Sequence, residues 1–306
     1  MTSFCLNRKL LAVGAMLSLA AGPCAFAQQP ITEADPTVVD VRAGETVHAA
    51  RMPERIYLRG PNDPDDIIWA RIPAYRTLLS AAPPVHQSTA LRFEPKEAVN
   101  LYFQVARTSD RLYVRMRWKD GSQNRSTTVD AFSDGAAIQW ALNGADTSYI
   151  MGSGPEKPVN IWYWRADHEA VENLAAGGFG STTHLPEQSV TGKGIYHSRL
   201  SGRDSEWHVV MSRPLDSKGQ HQAKLQKGTI PMAFALWQGE DAQRDGNKRV
   251  SHGWIMVNVL PAPISRQTPA GLPTKPPAKT PNAADAGAPQ PASAHLHLGA
   301  KPVNAS

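Results

Sequence analysis

Apolar residues recur along this chain with a period of two over most of its middle. Asn100–Arg107 and Arg111–Trp118 flank the polar link Thr108-Ser109-Asp110, and in the second run Leu112, Val114, Met116 and Trp118 alternate with arginines and Tyr113. That spacing predicts a β-hairpin with one buried face, closed by the turn residues Lys119-Asp120-Gly121-Ser122. Further strands are expected at Ala136–Leu142, Val159–Trp164, Glu206–Ser212, Met232–Trp237 and Gly253–Leu260. The one helical pattern is His168–Ala175, long enough for two turns. Many strands, Gly/Pro turns and little helix place the chain in the all-β class, as an antiparallel β-sandwich with a few short helices and long loops. Between Arg165 and Asp204 the sequence is Gly-rich and polar and reads as one long loop, of the kind that forms lids or binding segments.

The two ends change character. Arg8 and Lys9 precede the apolar run Leu10–Ala21, and Ala25-Phe26-Ala27 supplies a small-x-small cleavage site, so residues 1–27 read as a cleavable secretion signal. The apolar run is too short to span a bilayer. Beyond Leu260 the chain is rich in Pro and Ala and poor in large apolar residues, and 261–306 is expected to be a disordered tail. The folded domain is then 28–260. Removing the signal takes Arg8 and Lys9 from the 32 basic residues and none of the 27 acidic ones, which lowers the net charge from +5 to about +3. So mild an excess does not suggest a nucleic-acid binder.

Cysteine usage narrows the chemistry further. Cys5 and Cys24 are the only two, and both fall in the signal. The exported chain therefore has no disulfide, thiolate metal site, iron–sulfur cluster or thioether haem attachment. Hydrolase and nucleotide-binding signatures are missing as well. Gly177-Gly178-Phe179-Gly180 is not at a strand-to-helix turn, and Asp134, Asp146 and Asp167 are expected to be solvated turn residues. His295 and His297 in the tail read as solvated histidines.

Two segments stand apart. One runs Asp134-Gly-Ala-Ala-Ile-Gln-Trp-Ala-Leu142, then Tyr149-Ile-Met151-Gly-Ser-Gly-Pro, then Val159-Asn-Ile-Trp-Tyr-Trp164. The other runs Met232-Ala-Phe-Ala-Leu-Trp-Gln-Gly239, then Arg244-Asp-Gly-Asn-Lys248, then Gly253–Leu260. With these motifs the chain, from about Ile56 to Leu260, resembles the haem b-binding γ subunits of the type II branch of the dimethyl sulfoxide reductase family. That resemblance implies a β-sandwich whose loops enclose one non-covalent haem b, held by an axial methionine and an axial lysine. Met151 matches the methionine of the Met-Gly turn and Lys248 the lysine of the Arg-Asp-Gly-x-Lys run, both motifs being unbroken. It also implies a non-catalytic electron-transfer role in the periplasm, beside a molybdenum catalytic subunit and an iron–sulfur subunit, with a soluble c-type cytochrome as electron partner.

The residues themselves are compatible with that chemistry and leave other readings open. A thioether is a soft ligand that raises a haem's potential, but a methionine is ordinarily core packing. A lysine must lose its proton to donate a lone pair, which desolvation assists, but a loop lysine is ordinarily exposed. Arg244 and Arg249 would help that deprotonation and Asp241 and Asp245 oppose it. Trp140, Trp162, Trp164, Trp237 and Trp254 suit either a haem pocket or a sandwich core. His184, His197 and His252 are rival ligands, His252 foremost. The competing functions are a secreted carbohydrate-binding sandwich without haem and a stand-alone periplasmic haem protein.

Overall fold

The computed structural model of the chain describes residues 37–260, except positions 56, 92–96, 169, 201–203 and 227. The expected signal 1–27 and tail 261–306 lie outside the described residues. Within them the period-two pattern becomes strand almost throughout. Three short strands lead: β1 (Val38–Asp40), β2 (Thr46–His48) and β3 (Ala50–Arg51). A meander follows in β4 (Ala74–Ala81), β5 (Val99–Arg107) and β6 (Arg111–Lys119). A second comprises β7 (Gly135–Ala141), β8 (Val159–Arg165), β9 (Glu172–Ala176) and β10 (Thr183–His184). The chain closes with β11 (Thr191–His197), β12 (Glu206–Pro214), β13 (Thr229–Trp237), β14 (Arg249–Val250) and β15 (Ile255–Asn258).

The first sheet has the order β4-β5-β6-β12-β11 and the second β10-β9-β8-β7-β13-β14. β4 pairs with β5 through Tyr75–Leu79 and with β14 through Ser80 and Ala81, so it passes from one sheet to the other. The long ladders are antiparallel, as the hairpin pattern predicts. The three leading strands instead pair parallel, β1 with β4, β2 with β15 and β3 with β5, because this segment reaches sequence-distant neighbours without a hairpin. No helix among the described residues is long and apolar enough to cross a membrane.

The sheets face each other across one core. Leu101, Phe103, Val114, Met116, Trp118 and Trp207 from the first meet Ile138, Trp140, Trp162, Trp164 and Phe234 from the second. Phe103 and Phe234 meet at a tilt with centroids 4.9 Å apart, and Trp164 meets Trp207 edge-on at 4.9 Å. Trp118, Trp140, Trp162 and Trp207 are fully buried. Each such indole removes about 150–250 Å² from water, roughly 4–6 kcal/mol of hydrophobic stabilisation as an upper figure.

Three expectations are corrected. The segment between Arg165 and Asp204 is not one loop, since it carries β9, β10 and β11. The expected helix at His168–Ala175 is replaced by β9, paired antiparallel with β8. β11 escapes an apolar-alternation reading because Gly192 and Gly194 hold two of its three inward positions, with Tyr196 the third. A Cβ on Gly194 would stand 2.2 Å from Trp164 Cζ2, so backbone, not a side chain, seats the indole there. Asp134 is no solvated turn residue either. It is wholly buried and accepts the amides of Asn124 (2.8 Å) and Gly239 (2.9 Å) and the indole N–H of Trp207 (3.0 Å), tying three segments together. Asp146 is exposed and paired with Lys157 at 2.6 Å, and Asp167 is paired with Arg165 at 2.6 Å.

Gly194→Ala is expected to cost about 1–3 kcal/mol by overpacking Trp164, read as a lower denaturant midpoint. The second expectation concerns Asp120, a buried carboxyl pushed up to about 7 by burial and by the neighbouring Asp134. Such a group takes up a proton on folding, so its destabilisation is absent below pH 4, grows as pH rises toward 7 and then stays constant. Asp120→Asn is expected to raise the thermal midpoint more at pH 8 than at pH 4, measured by thermal unfolding at both.

Candidate functional site

Residues that point inward from β7, β8 and β13 fill the core, so their neighbours in sequence must point out of the second sheet. Those outward residues are Ala137 and Gln139, Ile161 and Tyr163, and Ala233, Ala235 and Trp237. Three alanines on the adjacent strands β7 and β13, beside Ile161 of β8, leave a shallow apolar floor. Above it lies a cavity of about 1120 Å³, somewhat above the about 300–1,000 Å³ common for small-molecule and cofactor pockets. Its walls include Met151, Phe179, Lys248 and Val250, with the exposed hydrophobics Val85, Leu91 and Val129 at the rim.

Met151 is carried by the excursion between β7 and β8. Its backbone is left-handed (φ 59°), an unfavourable conformation for a side chain with a Cβ, and the surroundings hold it there. Gly178 N donates to Met151 O at 2.7 Å, Gly152 N to Ser148 O at 3.0 Å and Gly154 N to Gly177 O at 2.9 Å. A Cβ on Gly152 would lie 2.9 Å from Lys157 O and 3.0 Å from Ala176 O, so the residue after Met151 must be glycine for the turn to seat on β9. The Gly177–Gly180 run thus acts as the clamp of the methionine turn, and its Phe179 lines the cavity.

Lys248 stands immediately before β14. Its carbonyl accepts the Ala82 amide at 2.8 Å, and the loop ahead of it is fastened by Arg249, which donates to Glu97 O (2.7 Å) and Asp241 Oδ2 (2.7 Å) and also bonds Gln238. Trp237 Nε1 donates to Asp245 O at 3.2 Å, and the indole lies 4.9 Å below Lys248 Nζ. Among the described residues the non-glycine positions with positive φ are Met151, His221, Ala242 and Asp245, so three of the four fall in these two loops. Strain held in place by its surroundings is characteristic of functional sites.

The two loops bring Met151 Sδ and Lys248 Nζ, 97 residues apart in sequence, to 3.8 Å. Burial pushes the Lys248 amine down to about 8, and the charge of Asp245 only partly opposes this. Lys248 retains some solvent contact through the open cavity, while the packed surroundings of its amine make the charged form costly. Arg249 is engaged by Asp241 and Arg244 by Asp245 at 3.2 Å, so the four charges weighed from sequence largely neutralise one another. Burial also pushes Tyr163 up to about 12, leaving a neutral phenol on the cavity wall, packed on Trp237 at 5.1 Å.

Two of the three rival histidines are placed elsewhere. His252 is exposed, with Nε2 2.7 Å from Ser80 Oγ, and does not line the cavity. His197 bonds Asp65 on the first sheet. His184 does reach the cavity, as an exposed residue 3.9 Å from Glu172. Of the tryptophans, Trp140, Trp162 and Trp164 belong to the core and Trp254 bonds Thr147 O at 2.6 Å, so Trp237 alone of the five lines the cavity. The alanine floor, Gln139 and Tyr163 were not singled out from sequence. The signal available was the outward register of strands whose inward register was already legible.

Residues 66–202 match the family model described as ethylbenzene dehydrogenase. The chain is 53% identical over 218 residues to the dimethylsulfide dehydrogenase subunit gamma of Rhodovulum sulfidophilum, an alignment covering 71% of this chain and 82% of that protein. It is 35% identical to the chlorate reductase subunit gamma of Ideonella dechloratans, over 62% of this chain and 77% of the relative. A respiratory nitrate reductase heme-subunit candidate of Haloferax mediterranei is also 35% identical, over 66% of this chain and 70% of the relative. With identity this high over most of a relative's length, the chain belongs to the family of γ subunits of type II dimethyl sulfoxide reductase-type enzymes.

Proposed function

We propose that this chain is a periplasmic electron-transfer subunit that binds one non-covalent haem b between Met151 and Lys248. The observation that carries the reading is the convergence of those two side chains, 3.8 Å apart, inside a large apolar cavity. A group bound at this point would be held by the sulfur of Met151 and the neutral amine of Lys248. The alanine floor and aromatic walls suit a flat apolar macrocycle, and the relative named as a heme subunit supports the same cofactor.

When bound, haem b supplies a one-electron redox couple. Met151 and Lys248 would hold the group between them, so the chain would pass electrons and offer a substrate no place to react. Gly178 and Ala82 fix the backbones of the two ligand residues, so the donor atoms are held ready before the cofactor arrives. Burial beside Trp237 favours the neutral amine that ligation requires. The relatives named as γ subunits of a dehydrogenase and a reductase support assembly with a molybdenum catalytic subunit and an iron–sulfur subunit. The cysteine-free exported chain leaves any cluster to another polypeptide. A soluble c-type cytochrome would be the external partner, reached through export directed by residues 1–27.

Purified holoprotein is expected to show a six-coordinate low-spin spectrum and a pyridine haemochrome of haem b. Met151→Ala or Lys248→Ala should each abolish that spectrum or lose the haem, while His252→Ala leaves it unchanged. A protein with no Soret band, or the reverse pattern among the variants, would overturn the assignment. Haem uptake by the apoprotein should also depend on pH. The proton on Lys248 competes with the metal below about pH 8, so affinity is expected to rise with pH and level off above that value. Titrating haem into apoprotein between pH 6 and 9, against Lys248→Ala as the control without this dependence, checks the sign.

A further inference from the structure

A second constellation of ligating side chains lies on the outer face of the first sheet. Trp207 and Val209 of β12 face the core, so His208 between them faces out, as does His197 at the end of the neighbouring β11. The loop before the 3-10 turn Ile67–Arg71 lays Asp65 across both. Asp65 Oδ1 is 2.7 Å from His208 Nδ1 and Asp65 Oδ2 is 3.0 Å from His197 Nε2, while the imidazole centroids are 4.2 Å apart. One donor atom from each of the three residues lies within 4.8 Å of the others.

The far side of His208 is equally defined. Its Nε2 is 2.7 Å from Glu206 Oε1. Protonated on both nitrogens the ring bridges the two carboxylates, and as the Nε2–H tautomer it donates to Glu206 and turns the Nδ1 lone pair toward Asp65. A divalent cation bound there would take the place of the proton between Nδ1 and Asp65. A carboxylate behind the ring, a free ring nitrogen in front and two further donors beside it are the arrangement in which imidazole binds metals.

We propose that Asp65, His197 and His208 form a binding site for a divalent cation of the zinc class, with Glu206 orienting His208 from behind. Two imidazoles and one carboxylate suit a borderline cation better than calcium or magnesium, which take oxygen donors. Three protein ligands leave a fourth position for water or for a donor from a partner chain. The ion would staple the Asp65 loop to β11 and β12, across 132 and 143 residues of sequence. That loop already rests there through Lys193–Asp63 at 2.8 Å and Ser212–Asn62 at 2.5 Å. Arg115, whose guanidinium is 3.3 Å from His208 Nδ1, is held by Pro64 O and Gln104 Oε1 and is the charge a bound ion must displace. The site and the haem cavity lie on the outer faces of different sheets, so this inference does not rest on the haem assignment.

The test is zinc titration by calorimetry of the chelator-treated mature protein, untagged and carrying His295→Ala and His297→Ala so that the tail histidines do not contribute. One Zn²⁺ per chain is expected. Glu206→Ala should weaken binding about 10- to 100-fold, and Asp65→Asn, His197→Gln and His208→Ala should each weaken it further. His197→Gln replaces a partly exposed residue and serves where His208→Ala fails to fold. The visible spectrum should not change in any variant, which separates this site from the haem. Absence of saturable binding would overturn the proposal, as would binding that both His197→Gln and His208→Ala leave intact.

Discussion

Alternation on three central strands governs this molecule. β7, β8 and β13 are covered on both faces, by the opposing sheet on one side and by the cavity's loops on the other. A strand exposes successive side chains to opposite faces, so each of these strands must satisfy two environments at once. Ile138, Trp140, Trp162 and Phe234 supply bulk inward, while Ala137, Ala233 and Ala235 withhold it outward. Core and pocket floor are therefore one construction. A register slip of one residue would put indoles into the cavity and alanines into the core.

The loops above that floor add precision where the sheet supplies only shape. The methionine turn holds a left-handed non-glycine residue, and the lysine loop holds two more. Backbone hydrogen bonds from Gly178 and Ala82, and the three-way grip of Arg249, keep these loops in place. The same packing that strains the backbone desolvates the Lys248 amine and lowers its affinity for a proton. Position and protonation state thus have a common cause in burial.

The opposite face is built differently. There the first sheet presents Arg115, Arg117, His208 and Glu206, which the Asp65 loop meets through charge and hydrogen bonding beside the apolar cluster of Ile68, Trp69, Tyr113 and Val210. Partial burial tends to raise the Asp65 carboxyl, but the hydrogen bond and charge of the two histidines outweigh it and hold it below the ordinary range. One sandwich therefore carries an apolar cradle on one outer face and a polar clasp on the other.

Hydrophobic alternation in the sequence determined the long hairpins and the all-β class, since both rest on side-chain type and spacing alone. The family motifs marked Met151 and Lys248, yet neither residue's own context distinguished a ligand from a core methionine or a surface lysine. Only the tertiary structure decided that they meet, because 97 residues separate them and their approach depends on how β8, β9 and β14 pair. It also turned the supposed loop after Arg165 into strands. There Gly192 and Gly194 contribute backbone where a periodicity reading looks for side chains, and Trp164 supplies the burial from a different strand. Pattern is local and so legible in a sequence, whereas the convergence of two distant loops on one apolar floor exists only once the sheets have packed.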